Sequence, residues 1–359
     1  MSEYKSSALF VRGYLHQDLV SGKTENQIGF SISLLGRKIL NSFSCLTKKS
    51  KNRRMKQLFD KYAYIFTEFA VLERLRRSEN VCLHPSLEHS LLIYDEMGRK
   101  EISLIYDEYF ALQRNTKVPF IIFTPTWRAN KERVESLPIH RNINADAVTF
   151  MKEIREKHAC ESEKIVIGGL IGCKNDCYKP DEALSIKESV LFHTWQIDKL
   201  IQGGVDFIFA ASLPAVSEAE GIAQIMSTVT MPYILSFVID RKGHLMDGTP
   251  LHEAFKTIDT SCIKPPLGFM INCSHPAFFK PERETNYVLS RLIGYQANAS
   301  DRDHATLDGS ADTQVSDISD WGEKMIALNR DYSITILGGC CGTNGEHLRY
   351  LAENIDRLP

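Results

Sequence analysis

The sequence predicts an α/β protein whose strands close into a (β/α)8 barrel, the TIM barrel, with an N-terminal extension before it. From about residue 62 onwards, short β-branched and aromatic runs alternate with amphipathic helical stretches. This alternation is typical of a parallel sheet. Eight such runs occur within 359 residues, which is a suitable length for one large barrel. An open doubly wound sheet is the second choice.

The predicted strands are short and apolar. They cover residues 64–67, 119–124, 164–171, 205–211, 232–238, 267–273, 292–296 and 333–337. Two helices between them, at 145–158 and 191–203, have the clearest helical periodicity. Gly203 and Gly204 should end the second helix, because glycine adopts the left-handed conformation of a helix C-cap without strain.

Residues 1–56 contain no clear strand pattern. We predict that they form a partly helical N-terminal extension and that the barrel domain spans 57–359. Six lysines and arginines between Lys48 and Lys56 form a basic cluster within this extension. Such a cluster is typical of a solvated surface.

The composition argues against several classes of protein. The formal net charge is -2, so no overall basic field points to nucleic acid or to an anionic membrane. A secretory signal and an apolar run of about 18 residues are both missing. We therefore predict a cytoplasmic protein with no membrane partner, in which the nine cysteines are reduced thiols.

The most informative stretch is Gly338-Gly339-Cys340-Cys341-Gly342, directly after the eighth predicted strand. Cys273 ends the sixth predicted strand. In a (β/α)8 barrel the carboxyl ends of the strands open onto one mouth, so the three thiols should meet there. Three thiolates can hold a tetrahedral zinc ion with one open position. Core packing and a redox-labile pair of neighbouring cysteines remain alternatives for these residues.

Other candidate residues give weaker signals. Cys173 and Cys177 form a second thiol pair without a matching partner pair, so a metal role is not favoured. His275 lies two residues after Cys273 and is a candidate ligand or a donor to one. The tryptophans fit the core or the walls of a pocket, and they are Trp127, Trp195 and Trp321.

The 338–343 stretch, together with Asn272-Cys273, resembles the zinc-binding signature of the homocysteine S-methyltransferase family. That family includes betaine-dependent and S-methylmethionine-dependent enzymes. Further segments resemble the family in the same order, and they are 123–127, His193, 203–206, Pro214, 236–237 and 247–251. The resemblance covers about residues 60–359.

The resemblance implies a Zn²⁺ ion bound by Cys273, Cys340 and Cys341. It also implies a substrate pocket that contains Glu68, Thr124, Ser212 and Asn272. Two positions depart from the family pattern.

Where the family has an Asp-Gly pair that helps to hold the amino acid substrate, this chain has Glu68-Phe69. Where the family has a Glu-Thr pair whose glutamate contacts the substrate amino group, it has Ala211-Ser212. The metal end of the site is thus expected to be intact and the amino-acid end to be altered.

The function implied is zinc-dependent methyl transfer from a small onium donor, of the betaine or S-methylmethionine type, to a thiol such as homocysteine. The expected partners are these two small molecules, with no nucleic acid, and a homo-oligomer is left open. A non-catalytic or substrate-diverged zinc-binding barrel, acting in binding or regulation, is the alternative. A metal-dependent hydrolase ranks third, because hydrolytic zinc sites rely mainly on histidine and carboxylate ligands.

Overall fold

The computed structural model describes residues 55, 57–158, 164–302 and 317–357. Apart from Met55, the predicted N-terminal extension lies outside the described residues, and so does every residue of the basic cluster. The described part of the chain belongs to one compact unit, Lys51–Pro359. None of its helices combines the length and the apolarity needed to span a bilayer.

Eight parallel strands form a closed barrel in which each strand pairs with its neighbours in sequence and β8 pairs with β1. The predicted (β/α)8 barrel is confirmed, and the open doubly wound sheet is excluded. The strands are β1 Ile65–Phe69, β2 Phe120–Phe123, β3 Ile165–Gly172, β4 Phe207–Leu213, β5 Tyr233–Phe237, β6 Gly268–Ser274, β7 Leu292–Ala297 and β8 Ile336–Gly339.

The α-helices lie between the strands and after the last one. They are α1 Val71–Arg76, α2 Glu96–Thr116, α3 Lys131–Glu135, α4 Ile143–Lys157, α5 Ile186–Gly203, α6 Val216–Ser227, α7 Leu251–Ser261, α8 Asn286–Arg291, α9 Ile318–Tyr332 and α10 Gly345–Asn354. Short 3-10 helices span His89–Tyr94, Pro180–Glu182, Pro276–Phe278 and Pro281–Arg283.

Helix α5 begins earlier than its apolar periodicity predicts. Ser185 accepts a hydrogen bond from the Glu188 backbone N–H, and the Glu188 carboxylate accepts one from the Ser185 backbone. This reciprocal capping box fixes the start of the helix. Gly204 then ends it with a φ of 91°, as predicted.

Large side chains fill the barrel below its carboxyl-terminal mouth. The rings of Phe123 and Phe209 stack with their centroids 4.5 Å apart, and Phe207 packs edge-on against Phe123. Gly168 makes room for them, since a Cβ at this position would lie 2.7 Å from the Phe123 ring. The interior of the barrel is therefore a packed core, and the site at the carboxyl-terminal mouth lies directly above it.

Strand boundaries at the mouth differ from the predicted ones by a few residues. β1 extends to Phe69 and β4 extends to Leu213, so Glu68 and Ser212 are strand residues rather than loop residues. Ser212 and Cys273 have positive φ values of 58° and 53°. A left-handed conformation is uncommon for such residues and turns the backbone sharply at the ends of β4 and β6.

Candidate metal centre and substrate pocket

The three cysteines implicated by the sequence meet at the mouth of the barrel. Cys273 is part of β6, whereas Cys340 and Cys341 directly follow β8. Their sulfur atoms all lie within 4.8 Å of one another. The Sγ atoms of Cys273 and Cys340 are 2.7 Å apart, and those of Cys340 and Cys341 are 3.9 Å apart. Within the described residues these cysteines are free thiols.

This arrangement fits a thiolate-bound zinc ion. With Zn–S bonds of about 2.3 Å, the edge of a tetrahedral site is about 3.8 Å long. The distance between the Cys340 and Cys341 sulfurs matches this edge, and Cys273 needs to move by about 1 Å from Cys340 to match it as well. Soft thiolate ligands favour zinc over magnesium or calcium. Three ligands leave the fourth position open toward the pocket.

The turn that carries the two adjacent cysteines is held in place by its own sequence. The Thr343 hydroxyl donates a hydrogen bond to the Cys340 carbonyl over 2.6 Å, and the Gly342 N–H donates one to Glu73 over 2.5 Å. Gly342 has a φ of 80°, which only glycine adopts at little cost. A Cβ at Gly339 would collide with the Thr343 side chain. Both glycines are thus required for the turn that brings the thiols together.

Asn272 supports the cysteine on the other strand. Its carboxamide oxygen accepts hydrogen bonds from the Ser212 N–H over 3.0 Å and the Ser236 hydroxyl over 2.7 Å. Its NH2 group donates to the Ser212 hydroxyl over 2.8 Å and to the Cys273 sulfur over 3.2 Å. Because a donor to a metal ligand fixes that ligand's orientation, Asn272 positions Cys273.

The three thiols also differ in acidity. Hydrogen bonds from Cys340 and Cys341 hold the pKa of Cys273 well below its usual range. Hydrogen bonds with Cys273 and Cys341 raise the pKa of Cys340 well above its usual range. Cys273 is thus the one thiol of these three whose pKa is lowered.

A cavity of about 200 Å³ opens beside the three sulfurs. Its apolar wall comes from the ends of β2 to β4 and from the helices behind them, and it includes Phe123, Trp127, Met151, Leu170, Phe209 and Ala211. Its polar side chains include Glu68, Arg76, His89, Thr124, Ser212, Asn272 and Gln296. A cavity of this size suits small molecules.

Glu68 is the most perturbed carboxyl group in the described part of this pocket. Its Oε1 accepts a hydrogen bond from the Tyr106 hydroxyl and one from the Phe123 N–H over 2.5 Å. Burial outweighs these hydrogen bonds and raises the pKa of Glu68 to about 7. A positive charge beside Glu68 would offset the cost of burying its carboxylate. Glu68 is therefore a candidate partner for a cationic group of a ligand.

Replacing Glu68 with glutamine should stabilise the protein at pH 8 but not at pH 4.5. The raised pKa, about 7 against an ordinary value of 4.5, means that the wild type loses stability as pH rises and the buried carboxyl ionises. Glutamine does not ionise, so the Glu68→Gln variant should gain about 3 kcal/mol relative to wild type between these pH values.

Urea unfolding at both pH values measures this difference. The matched control is Glu353→Gln, on the exposed face of α10. An equal free energy of unfolding for wild type and Glu68→Gln at pH 8 would contradict the expectation.

The hydroxyl of Thr124 also borders the cavity, but it is engaged within the protein. It accepts a hydrogen bond from the Leu170 N–H over 3.0 Å and lies 2.7 Å from the Thr126 hydroxyl. Phe69 points away from the cavity and packs against Tyr109 and Trp321. The phenylalanine at the altered Asp-Gly position therefore belongs to the packing behind the site.

The loop after β3 is tied down by a buried acid on α6. Glu218 accepts hydrogen bonds from His193 Nε2 over 2.8 Å and from the Lys174 N–H over 2.9 Å. A longer bond of 3.4 Å comes from the Leu184 N–H. The side chains of His193 and Glu218 are 0% and 1% exposed, so this loop is anchored in the protein interior.

That loop carries Cys173 and Cys177, which are buried and lie outside the cluster of metal-ligating atoms found among the described residues. Cys173 donates a hydrogen bond to the Asn175 carbonyl over 3.3 Å. His275 is also outside that cluster. Its Nδ1 accepts a hydrogen bond from the Ala277 N–H, and burial lowers its pKa to about 4. His275 therefore caps a short helix.

The tryptophans occupy the kinds of place that the sequence predicts. Trp127 forms part of the pocket wall, and the Arg128 guanidinium lies 4.0 Å from its ring centroid. Trp321 is fully buried and donates a hydrogen bond to the Asn298 carbonyl over 3.0 Å. Trp195 packs against a small cluster of apolar side chains outside the barrel.

Five polar pocket residues are not evident from sequence reasoning. Tyr106 comes from α2, Glu73 and Arg76 from α1 and His89 from a 3-10 helix, and none of these segments contains a motif. Gln296 could have been predicted from its position in the sequence. It lies near the end of the strand between the two ligand strands, and all strand ends open onto the same mouth.

A closed (β/α)8 barrel with three cysteines at the ends of β6 and β8 defines a class of protein in which a cluster of thiols that could hold a metal lies beside a small-molecule pocket. Comparison with known proteins narrows the class. The family profile described as "Homocysteine S-methyltransferase" matches residues 59–355. The chain therefore belongs to the homocysteine S-methyltransferase family and is a methyltransferase.

Two relatives and a solved structure illustrate this similarity. "Homocysteine S-methyltransferase YbgG" of Bacillus subtilis (strain 168) is 23% identical over 318 residues, which are 83% of this chain and 96% of that protein. "Homocysteine S-methyltransferase" of Escherichia coli (strain K12) is 25% identical over 117 residues, 30% of this chain and 38% of that protein.

The solved structure is the metallated form of the homocysteine methyltransferase MmuM from Escherichia coli. It superposes with a TM-score of 0.64 at 17% identity, covering 84% of this chain and 99% of that chain. At this level of identity the superposition supports the fold.

Proposed function

We propose that this methyltransferase moves a methyl group from a small onium donor, of the betaine or S-methylmethionine type, to a thiol such as homocysteine with the help of Zn²⁺. The observation that carries the proposal is the cluster of three sulfurs within 4.8 Å of one another, open to a cavity of about 200 Å³. Cys273, Cys340 and Cys341 would hold the ion.

When bound, zinc supplies an open coordination position that lowers the pKa of a substrate thiol and keeps it as a nucleophilic thiolate near neutral pH. The protein's own residues supply the rest. Asn272 fixes the direction of Cys273, and the Gly342 turn fixes the other two sulfurs. The thiolate can then attack the donor's methyl group in line, and the neutral remainder of the donor leaves.

The walls of the cavity support a cationic donor and exclude bulk water. The aromatic side chains of Phe123, Trp127 and Phe209 border it, and an aromatic ring attracts an onium ion that approaches its face. Apolar walls also leave the positive charge poorly solvated, so its loss on methyl transfer is favoured. The small volume supports a donor of the size of betaine or S-methylmethionine.

The identity of the thiol is the more open part of the proposal. Ala211 borders the cavity at the position where the resemblance leads us to expect a glutamate. The substrate amino group therefore has no carboxylate on β4. Glu68 on β1 and Glu73 on α1 both border the cavity. Because Glu73 already accepts hydrogen bonds from the Gly342 N–H and from Arg77, Glu68 is the carboxyl group that we expect to meet the amino group. Reduced thiols are needed throughout, which agrees with the cytoplasmic setting inferred from the sequence.

A direct assay tests the proposed function. Zinc-loaded full-length protein is incubated with homocysteine, or with simpler thiols, and with betaine or S-methylmethionine as donor. Mass spectrometry should detect an S-methylated thiol that depends on the enzyme. Absence of product with every pair, in protein that holds stoichiometric zinc, would refute the proposal and leave a binding role.

Restoring an acid on β4 should tighten homocysteine binding. In an Ala211→Glu variant the new carboxylate can pair with the substrate ammonium, and we expect the Kd to fall about tenfold. Titration calorimetry measures it, and Ala211→Gln is the control of equal size without the charge. An unchanged Kd in Ala211→Glu would show that residue 211 does not face the amino group.

A further inference from the structure

Gln296 is a buried residue whose side-chain carboxamide takes no part in the hydrogen bonds that build the pocket. It lies in β7, the strand between β6 and β8, which carry or precede the three cysteines. Its side chain borders the cavity, and the residue is only 8% exposed. Within the described part of the chain, its carboxamide makes no hydrogen bond. Its amide nitrogen and oxygen do not belong to the fully enclosed, unpartnered atoms of the described residues, so they remain accessible from the cavity and available to a ligand.

The neighbouring polar groups differ from Gln296 in this respect. The Asn272 carboxamide makes four hydrogen bonds within the protein. Thr124 accepts from the Leu170 N–H, and the Ser212 hydroxyl accepts from Asn272. These groups build the walls of the site, whereas Gln296 keeps both N–H groups and its carbonyl oxygen available.

The adjacent strand makes space for this side chain. Gln296 pairs with Gly338 of β8, and a Cβ at Gly338 would lie 3.2 Å from the Gln296 Cγ. Gly338 thus leaves room for the neighbouring side chains of Gln296 and Thr67. On the other side of β8 lies β1 with Glu68, so the two polar side chains flank the strand that precedes Cys340 and Cys341.

We propose that Gln296 is a specificity-determining residue that recognises an α-amino-acid thiol by donating hydrogen bonds from its NH2 group to the substrate carboxylate. This inference rests on the proposed function. Glu68 is the carboxyl group that we expect to meet the substrate ammonium. Arg76 also borders the cavity, but its guanidinium is paired with Glu88 over 3.2 Å, so the substrate carboxylate needs another donor. A neutral carboxamide meets that need with two N–H groups beside the sulfurs.

The test measures binding without a methyl donor. Titration calorimetry on zinc-loaded full-length protein gives the Kd of four thiols of similar length. Homocysteine has both polar groups, 4-mercaptobutanoate has only the carboxylate, 3-aminopropane-1-thiol has only the amine, and 1-propanethiol has neither. The variants are Gln296→Met, which keeps the length without the carboxamide, and Gln296→Glu, which replaces the donors with a negative charge. Gln202→Leu, on the exposed face of α5, is the control.

Gln296→Met should raise the Kd of homocysteine and of 4-mercaptobutanoate about tenfold or more, with the Kd of the other two thiols unchanged. Gln296→Glu should weaken the two carboxylate thiols further and leave 3-aminopropane-1-thiol bound at least as tightly as before. Gln202→Leu should change none of the four Kd values.

An equal effect on all four thiols, no effect on any, or loss of zinc from Gln296→Met would overturn the assignment. Failure of the proposed function alone would give a different result, because the expected pattern of Kd values would be seen in a protein that transfers no methyl group.

Discussion

Replacing Cys273 with alanine should remove zinc from the purified protein and lower methyl transfer by at least about a thousandfold. The variant takes away one of three thiolates that approach one another within 4.8 Å. Loss of a residue that merely orients a ligand costs about 10- to 100-fold in metal affinity, and loss of a ligand costs more. Metal content after dialysis against a weak chelator, followed by the methyl-transfer assay, measures both effects.

The cysteines outside the cluster are matched controls for this experiment. Cys82 is exposed and Cys262 is half-buried, and neither belongs to the group of three. Their alanine variants should keep one zinc ion per chain. The proposal of a three-cysteine site fails if Cys273→Ala, Cys340→Ala and Cys341→Ala all retain stoichiometric metal.

Replacing Glu218 with alanine should destabilise the protein by about 3 kcal/mol. The substitution leaves His193 and two backbone N–H groups without their acceptor inside the protein. Breaking a buried charged or hydrogen-bonded pair from one side has a cost of this order. Urea unfolding of the zinc-loaded protein gives the free energy difference.

Glu218 also anchors the start of the loop after β3, so its replacement by alanine should release this loop as well as lower the free energy of unfolding. Glu218→Gln retains an acceptor and should lose less stability than Glu218→Ala. Glu220→Ala, two residues along α6 and less buried, should differ from wild type by no more than about 0.5 kcal/mol. Equal unfolding free energies for the Glu218→Ala and Glu220→Ala variants would refute the anchoring role.

Much of the fold could be predicted because parallel strands of a barrel are continuous apolar runs that stand out from amphipathic helices. The boundaries of the helices and strands were harder to predict from the sequence. Helix α5 starts at Ile186 because of the Ser185 capping box, which lies outside its apolar periodicity. β4 runs through Ser212 to Leu213, although Ser212 has a left-handed backbone. No pattern of side chains reports such a conformation.

The clustering of the three cysteines could be predicted and the rest of the pocket only in part, for a physical reason. The two adjacent cysteines need glycines on both sides, so the turn leaves a contiguous mark in the sequence. Tyr106 lies on α2, 38 residues after Glu68 in the sequence, and its hydroxyl donates a hydrogen bond to the Glu68 carboxylate. Contacts of this kind depend on packing, and a single tyrosine within an amphipathic helix carries no sign of them.

The completion of the barrel has a consequence for how the protein is made. β8 pairs with β7 on one side and β1 on the other, and Cys340 and Cys341 follow it directly. On a ribosome, a nascent chain that ends before β8 still has two unpaired edge strands and only one of the three thiols. Closure of the barrel and assembly of the three-thiol cluster therefore become a single late event. An unfinished chain would present an open sheet to chaperones, but it would lack the complete cluster.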